Sequence, residues 1–232
     1  MNQIAIFYHC LFVVGEPPEP LPFAWQIVAM QMRQLKISGL LDAASEFQVG
    51  VNGDTESEHF ADAIIPRKGM VVYHGLESRS ENPTLLMLEH WVKTHPGWNV
   101  LYIHSKGASL TKRDSYSTVS SLWREDMMVD LVANWKRCVA DLENGNDVAT
   151  SLWMWNMCDG TQHIPAGNFL WIKSDFAAKL PSLMLRDRIK HDGIGALSSR
   201  HEAECFWGNG PRPYVKSYRE HGWPWNRVAV AA

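Results

Sequence analysis

The chain has 232 residues, with 22 Lys and Arg against 25 Asp and Glu, a formal charge of −3. At that length folding buries about 70% of the surface of the unfolded chain, which suits one domain with a large core. A composition 46% hydrophobic and 20% charged excludes wholesale disorder, and the near-balance of charge argues against coating nucleic acid through bulk charge.

Taken in chain order, the apolar run Ile4-Ala5-Ile6-Phe7-Tyr8 predicts a strand buried on both faces of a parallel sheet. A loop with Pro17, Pro18, Pro20 and Pro22 leads into a helical pattern through Phe23, Ile27, Met30 and Leu35, with Gly39 as its stop. Phe47–Val51 reads as a second strand ending in the turn Asn52-Gly53-Asp54, and Met70–Tyr73 as a third. Asn82-Pro83 supplies a cap and a first-position proline for a helix carrying Leu85, Leu88, Trp91 and Val92, which Pro96-Gly97 ends. Asn99–Ile103 is the next strand. Residues 105–121 are rich in Ser and Thr and read as a loop, followed by one amphipathic helix through Trp123, Met127, Leu131, Trp135, Cys138 and Leu142. Asp147–Ala149 and Gly167–Ile172 read as strands, Ser174-Asp175 as the start of a short helix, and the tail from Gly208 as irregular chain wrapping the rest. This β-α-β rhythm predicts an α/β fold with a mostly parallel sheet. The expected division is a domain over residues 1–207 with a C-terminal tail, 208–232, packed on it. No apolar run approaches the roughly 20 residues of a membrane-spanning helix. Four scattered cysteines (Cys10, Cys138, Cys158, Cys205) and an N-terminus without a basic, cleavable leader point to a reduced, cytoplasmic protein.

The sharpest local signal is Tyr102-Ile103-His104-Ser105-Lys106-Gly107, an apolar strand that ends in polar side chains and breaks at glycine. Ligands of open α/β sheets bind at the carboxyl ends of strands. A lysine there suits phosphate, Gly107 lets the backbone approach a ligand, and Lys112 and Arg113 follow. Asn52 and Asp54, at the end of the second strand, can bond a nucleoside. Gly167, Asn168 and Trp171 can bond and stack on a sugar. His201-Glu202-Ala203-Glu204-Cys205 reads as helix, and one carboxylate of the two facing a cleft can act as a general base. The ten histidines show no tight ligand spacing, and neither a phosphate-binding G-x-x-x-x-G-K-[ST] nor a G-x-S-x-G elbow is present.

Together, Tyr102–Gly107, Trp123-Arg124, Gly167–Trp171 with Leu180-Pro181 after it, and Glu202–Glu204 resemble, in that order, glycosyltransferases of the GT-A type. They are similar to polysaccharide-type glycosyltransferases of bacteria and viruses, and the likeness runs from roughly residue 70 to 207. Asn52–Thr55 is similar to the acidic turn with which such enzymes hold a nucleoside. The resemblance implies a GT-A-like mostly parallel central sheet flanked by helices, and transfer of a sugar from a nucleotide-sugar to a hydroxyl on a glycan or modified polymer. It assigns the nucleoside to Asn52 and Asp54, and the diphosphate to His104, Ser105, Lys106, Gly107, Lys112 and Arg113. The sugar or acceptor falls to Gly167, Asn168 and Trp171, and the base role to Glu204, with Glu202 second. The chain departs from the family in having no Asp-x-Asp, the usual Mg²⁺ or Mn²⁺ holder. Lys106 then stands where a metal would supply charge, and a metal held by His104 with acids such as Glu204 remains the alternative. A non-catalytic carbohydrate or nucleotide module, a metal-dependent hydrolase, and a transferase acting on a modified base of nucleic acid are the rival readings. Donor, acceptor, stereochemistry and oligomeric state stay open.

Overall fold

The computed structural model describes residues 3–12, 22–53, 55–66, 69–74, 81–106, 115–157, 162–183, 203, 206–208 and 210–220. Strand β1 (Ile4–Leu11) leads to helices α1 (Pro22–Ile37) and α2 (Leu40–Ala43), then β2 (Glu46–Asn52), α3 (Thr55–Ile64) and β3 (Met70–Tyr73). After α4 (Asn82–Val92) and β4 (Asn99–His104) come α5 (Ser115–Met128), a π-helical turn over Val129–Ala133 and α6 (Trp135–Glu143). The rest is β5 (Val148–Thr150), β6 (Trp153–Met157), β7 (Gln162–Pro165), β8 (Leu170–Lys173), α7 (Ser174–Ala177) and β9 (Val215–Ser217).

Seven strands form one sheet in the order β3-β2-β1-β4-β8-β5-β9, and β6-β7 form a separate antiparallel ribbon. β8 runs against both its neighbours while the other pairs are parallel, so the expected α/β architecture, a mostly parallel central sheet flanked by helices, is what the chain adopts. Alternation along β1 divides the core. Ile4, Ile6, Tyr8 and Cys10 face a layer built from α1, α3 and the α5–α6 segment. Ala5 and Phe7 face α4 and α7. Because helices cover both faces, a continuous apolar run was the right signature for this strand. Gly39, at φ 72°, ends α1 in the left-handed region where a side chain would be strained.

Several expectations shift. α5 begins at Ser115, inside the stretch read as loop from the weak helix preference of Ser and Thr. The single helix expected after it is broken by the π turn, where Asn134 N bonds Val129 O at 3.2 Å. α4 starts with Glu81 rather than Asn82 at the cap position. Helix α3 and the β6–β7 ribbon had no counterpart in the sequence reading. Residues 166–169 are a turn rather than the start of a strand, and the tail contributes β9, which pairs in parallel with β5. Among the described residues, no helix is long and apolar enough to cross a membrane.

Candidate functional site

Chain order in the sheet reverses at β1: β2 and β3 are laid down on one side of it and β4 on the other. Such a switch point opens a crevice at the carboxyl ends of the two central strands. His9, Cys10 and Leu11 end β1 there, and His104, Ser105 and Lys106 end β4. The two ends are tied together, with Ser105 N donating to His9 O at 2.9 Å and Leu11 N donating to Ser105 Oγ at 2.8 Å.

Lys106 is 4% exposed, and its ammonium lies 4.2 Å from the centre of the Trp123 ring on α5. Burial would penalise that charge, and the π face offsets part of the loss of water. Next along α5, Arg124 is buried and its Nη1 donates to Lys106 O at 2.7 Å, while burial works against its own charge. Lys106 N turns back to His104 O at 2.8 Å, an oxygen that also accepts Gln31 Nε2 at 3.0 Å. The main chain at the end of β4 is therefore held from α1 and from α5.

On the opposite face of the sheet Glu81 gathers donors at the N-terminus of α4. Tyr102 OH gives it a bond of 2.7 Å, Asn168 Nδ2 one of 2.6 Å, and His104 Nδ1 lies 3.3 Å away. The other ring nitrogen of His104, Nε2, is 2.9 Å from Gly167 O. Burial, then the Glu81 charge, pushes the Tyr102 phenol far above its ordinary value. Asn168 sits in the left-handed region at φ 57° and is fully buried; its Oδ1 accepts from Trp207 Nε1. Asparagine tolerates that conformation better than most residues. Gly167 precedes it at φ 83°, where an added Cβ would fall 2.7 Å from Met127 Sδ.

Beneath this layer His9, 1% exposed, bonds Thr84 Oγ1 through Nδ1 at 2.8 Å. Burial, with His74 adding to it, pushes the His9 imidazole down to about 3, and burial lowers His74 as well. Both rings are thus neutral at ordinary pH. Gly50 on β2 makes room for Thr84 and the His74 ring, since a Cβ there would meet Thr84 Oγ1 at 1.9 Å and His74 Nε2 at 2.9 Å.

Of the residues singled out in the sequence, the fold brings His104, Ser105, Lys106, Gly167 and Asn168 together at the end of β4. Asn52 ends β2, two strands away in the sheet order and about 10 Å at ordinary strand spacing. Trp171 faces the core instead. It is fully buried and its indole N–H donates to Leu131 O at 2.8 Å, so it offers no ring face to a sugar. Asn168 spends both ends of its amide on Glu81 and Trp207, which makes it a fastener of the site rather than a ligand contact. Asp54, Gly107, Lys112, Arg113, Glu202 and Glu204 lie outside the described residues. Sequence reading placed Tyr102 in the strand motif without giving it a role, and missed Glu81, Gln31 and Trp207. Only Glu81 carried a signal, an acid at the start of a Pro-marked helix.

Divalent cations such as Mg²⁺ call for oxygen donors. The end of β4 offers an ammonium and an imidazole whose two nitrogens already face Glu81 and Gly167 O, so these residues do not fit such an ion. Among the described residues no group of three or more His, Cys, Asp or Glu is arranged to hold a metal.

No family model matches the chain, and no curated protein matches it. Similar solved structures include a candidate nucleotide-diphospho-sugar transferase from Desulfovibrio desulfuricans G20, 11% identical over 94% of this chain and 80% of that one, with a TM-score of 0.45. HddC from Yersinia pseudotuberculosis is 10% identical over 94% and 89%, also at 0.45. A 4-diphosphocytidyl-2C-methyl-D-erythritol synthase is 11% identical over 99% and 96%, at 0.41. All three likenesses lie below a TM-score of 0.5.

Proposed function

We propose that the chain is a nucleotide-sugar-using transferase, and specifically a glycosyltransferase that moves a sugar to an acceptor hydroxyl. The observation that carries this reading is the Lys106 ammonium, held over Trp123 at the end of β4 beside the switch point of the sheet. In the reaction the acceptor oxygen forms a bond to the anomeric carbon. The bond from that carbon to the diphosphate breaks, and the leaving nucleoside diphosphate takes the electron pair. Negative charge grows on the diphosphate as it leaves, and a fixed cation in a water-poor site stabilises it without reorganising.

Lys106 grips the diphosphate in this reading, with Gly107, Lys112 and Arg113 from the segment that follows, and Ser105 and His104 shaping the strand end beneath. Asn52 and Asp54 hold the nucleoside. Glu204, with Glu202 second, takes the proton of the acceptor hydroxyl. Gly167 and Asn168 form the turn that borders the site, while Trp171 is withdrawn from sugar binding by its burial. Acceptors are glycans or other polymers bearing hydroxyl groups.

Incubation with a panel of UDP-, GDP-, dTDP- and CMP-sugars, alongside nucleoside triphosphates with sugar phosphates, tests the proposal through its products. Glycosyl transfer or donor hydrolysis from diphospho-donors releases nucleoside diphosphate. Nucleotidyl transfer releases pyrophosphate and would move the chemistry to a different bond. Tight binding in calorimetry with neither product would make the chain a binding module and overturn the enzymatic reading.

A further inference from the structure

Arg124 carries a guanidinium into the interior. The residue is 6% exposed, and its described hydrogen bond uses one N–H of the fork, Nη1 donating to Lys106 O at 2.7 Å. A carbonyl offers that cation only a partial charge. Among the described residues no carboxylate stands at ion-pair distance from it. Two groups act on it from further off, the Glu125 carboxylate and the Tyr8 phenol. Glu125, next along α5, is exposed, so water screens its charge. Tyr8 is fully buried and donates to Gln31 Oε1 at 2.6 Å, and burial pushes its phenol far above the ordinary range, so it stays neutral. Buried charges in folded proteins are paired, because taking an ion out of water is costly.

The place of the guanidinium indicates the missing partner. It bonds the carbonyl of the same residue whose ammonium lies 4.2 Å from the Trp123 ring, one position back on α5. Two largely buried cations thus meet at the end of β4, beside the switch point where ligands of such sheets bind. An anion that reaches both lowers their mutual repulsion and offsets their loss of water. The arginine fork matches two oxygens of one phosphoryl group, and the lysine is a point charge for another. We infer that Arg124 is a further anion-binding residue of this site, taking one phosphoryl group of a diphosphate while Lys106 takes the other. The site therefore selects donors with two phosphates over those with one. The identity of the donor rests on the transferase reading; the call for an anion rests on the buried guanidinium alone.

Calorimetric titration of the full chain with inorganic pyrophosphate and with inorganic phosphate tests this without a nucleoside or an acceptor. Pyrophosphate is expected to bind at least about 10-fold tighter than phosphate and to raise the Tm of the native protein. Arg124→Gln is expected to fold, since it removes a buried charge, and to weaken pyrophosphate binding about 10- to 100-fold. Arg124→Lys, which keeps the charge and loses the fork, is expected to fall between. A native protein whose Tm pyrophosphate leaves unmoved overturns the inference, and needs no variant to fold. Equal affinity for phosphate and pyrophosphate overturns the selection for two phosphates. Native pyrophosphate affinity in folded Arg124→Gln removes Arg124 from the role, even if the protein transfers sugar. Should the native protein bind pyrophosphate through Arg124 and transfer nothing, the transferase reading fails and the anion site stands.

Discussion

Replacing Lys106 by methionine removes the charge and keeps an unbranched stem of similar length against Trp123. The ammonium lies 4.2 Å from the ring centre in a residue only 4% exposed. Losing that desolvated cation–π contact costs up to about 2 kcal/mol, and relief from burying an ammonium returns a comparable amount. Folding stability is therefore expected to stay within about 2 kcal/mol of native, read from urea unfolding followed by tryptophan fluorescence. Transfer is expected to suffer far more. Deleting one preorganised group that meets developing charge typically lowers kcat about 10²- to 10³-fold, or roughly 3–4 kcal/mol of barrier. Release of nucleoside diphosphate at saturating donor measures it. A folded Lys106→Met protein that turns over within about three-fold of the native rate would refute the assignment.

Other consequences concern the scaffold around that lysine. Gly50→Ala drives a Cβ to 1.9 Å from Thr84 Oγ1 and should cost about 1–3 kcal/mol in chemical unfolding, part of it recovered in combination with Thr84→Ala. His9 titrates near 3 when folded and near 6.5 when unfolded, so the unfolded chain binds the extra proton between those values. Its contribution is full above pH ~6.5 and is lost at about 1.4 kcal/mol per unit as pH falls toward 3. His9→Asn should flatten that limb of the stability curve, and an unchanged acid limb would show that His9 is not its source. Arg219 donates from Nε to Asp130 at 2.6 Å and lies 3.2 Å from Asp126 through Nη1. Arg219→Ala takes the guanidinium away from two largely buried carboxylates and should lower stability by about 3 kcal/mol, measurable as a shift in Tm.

The strands at the centre of the sheet were legible because each is covered on both faces, so Ile4–Tyr8 and Val100–Ile103 had to be apolar throughout. Helix α4 was legible because Pro83 and Gly97 bracket it. Edge elements were not. Val215–Ser217 carries little pattern of its own and becomes a strand because β5 presents an unpaired edge. Seven residues of α5 looked like loop because hydroxyls compete locally for backbone bonds, a competition that the helix nonetheless wins here.

Sequence alone determined where a cation follows an apolar strand and a glycine follows the cation, since that order of residue types is local and chemical. It could not decide which of the polar groups nearby would serve that strand end. Glu81 and Asn168 are 87 residues apart and Glu81 and Tyr102 are 21 apart, yet each pair is joined by a hydrogen bond. Trp171 shows the converse: its sequence neighbours suggested a sugar platform, while the layer behind the sheet took the whole indole into the core. Burial and pairing across the chain are properties of packed layers, and only the tertiary structure assigns them.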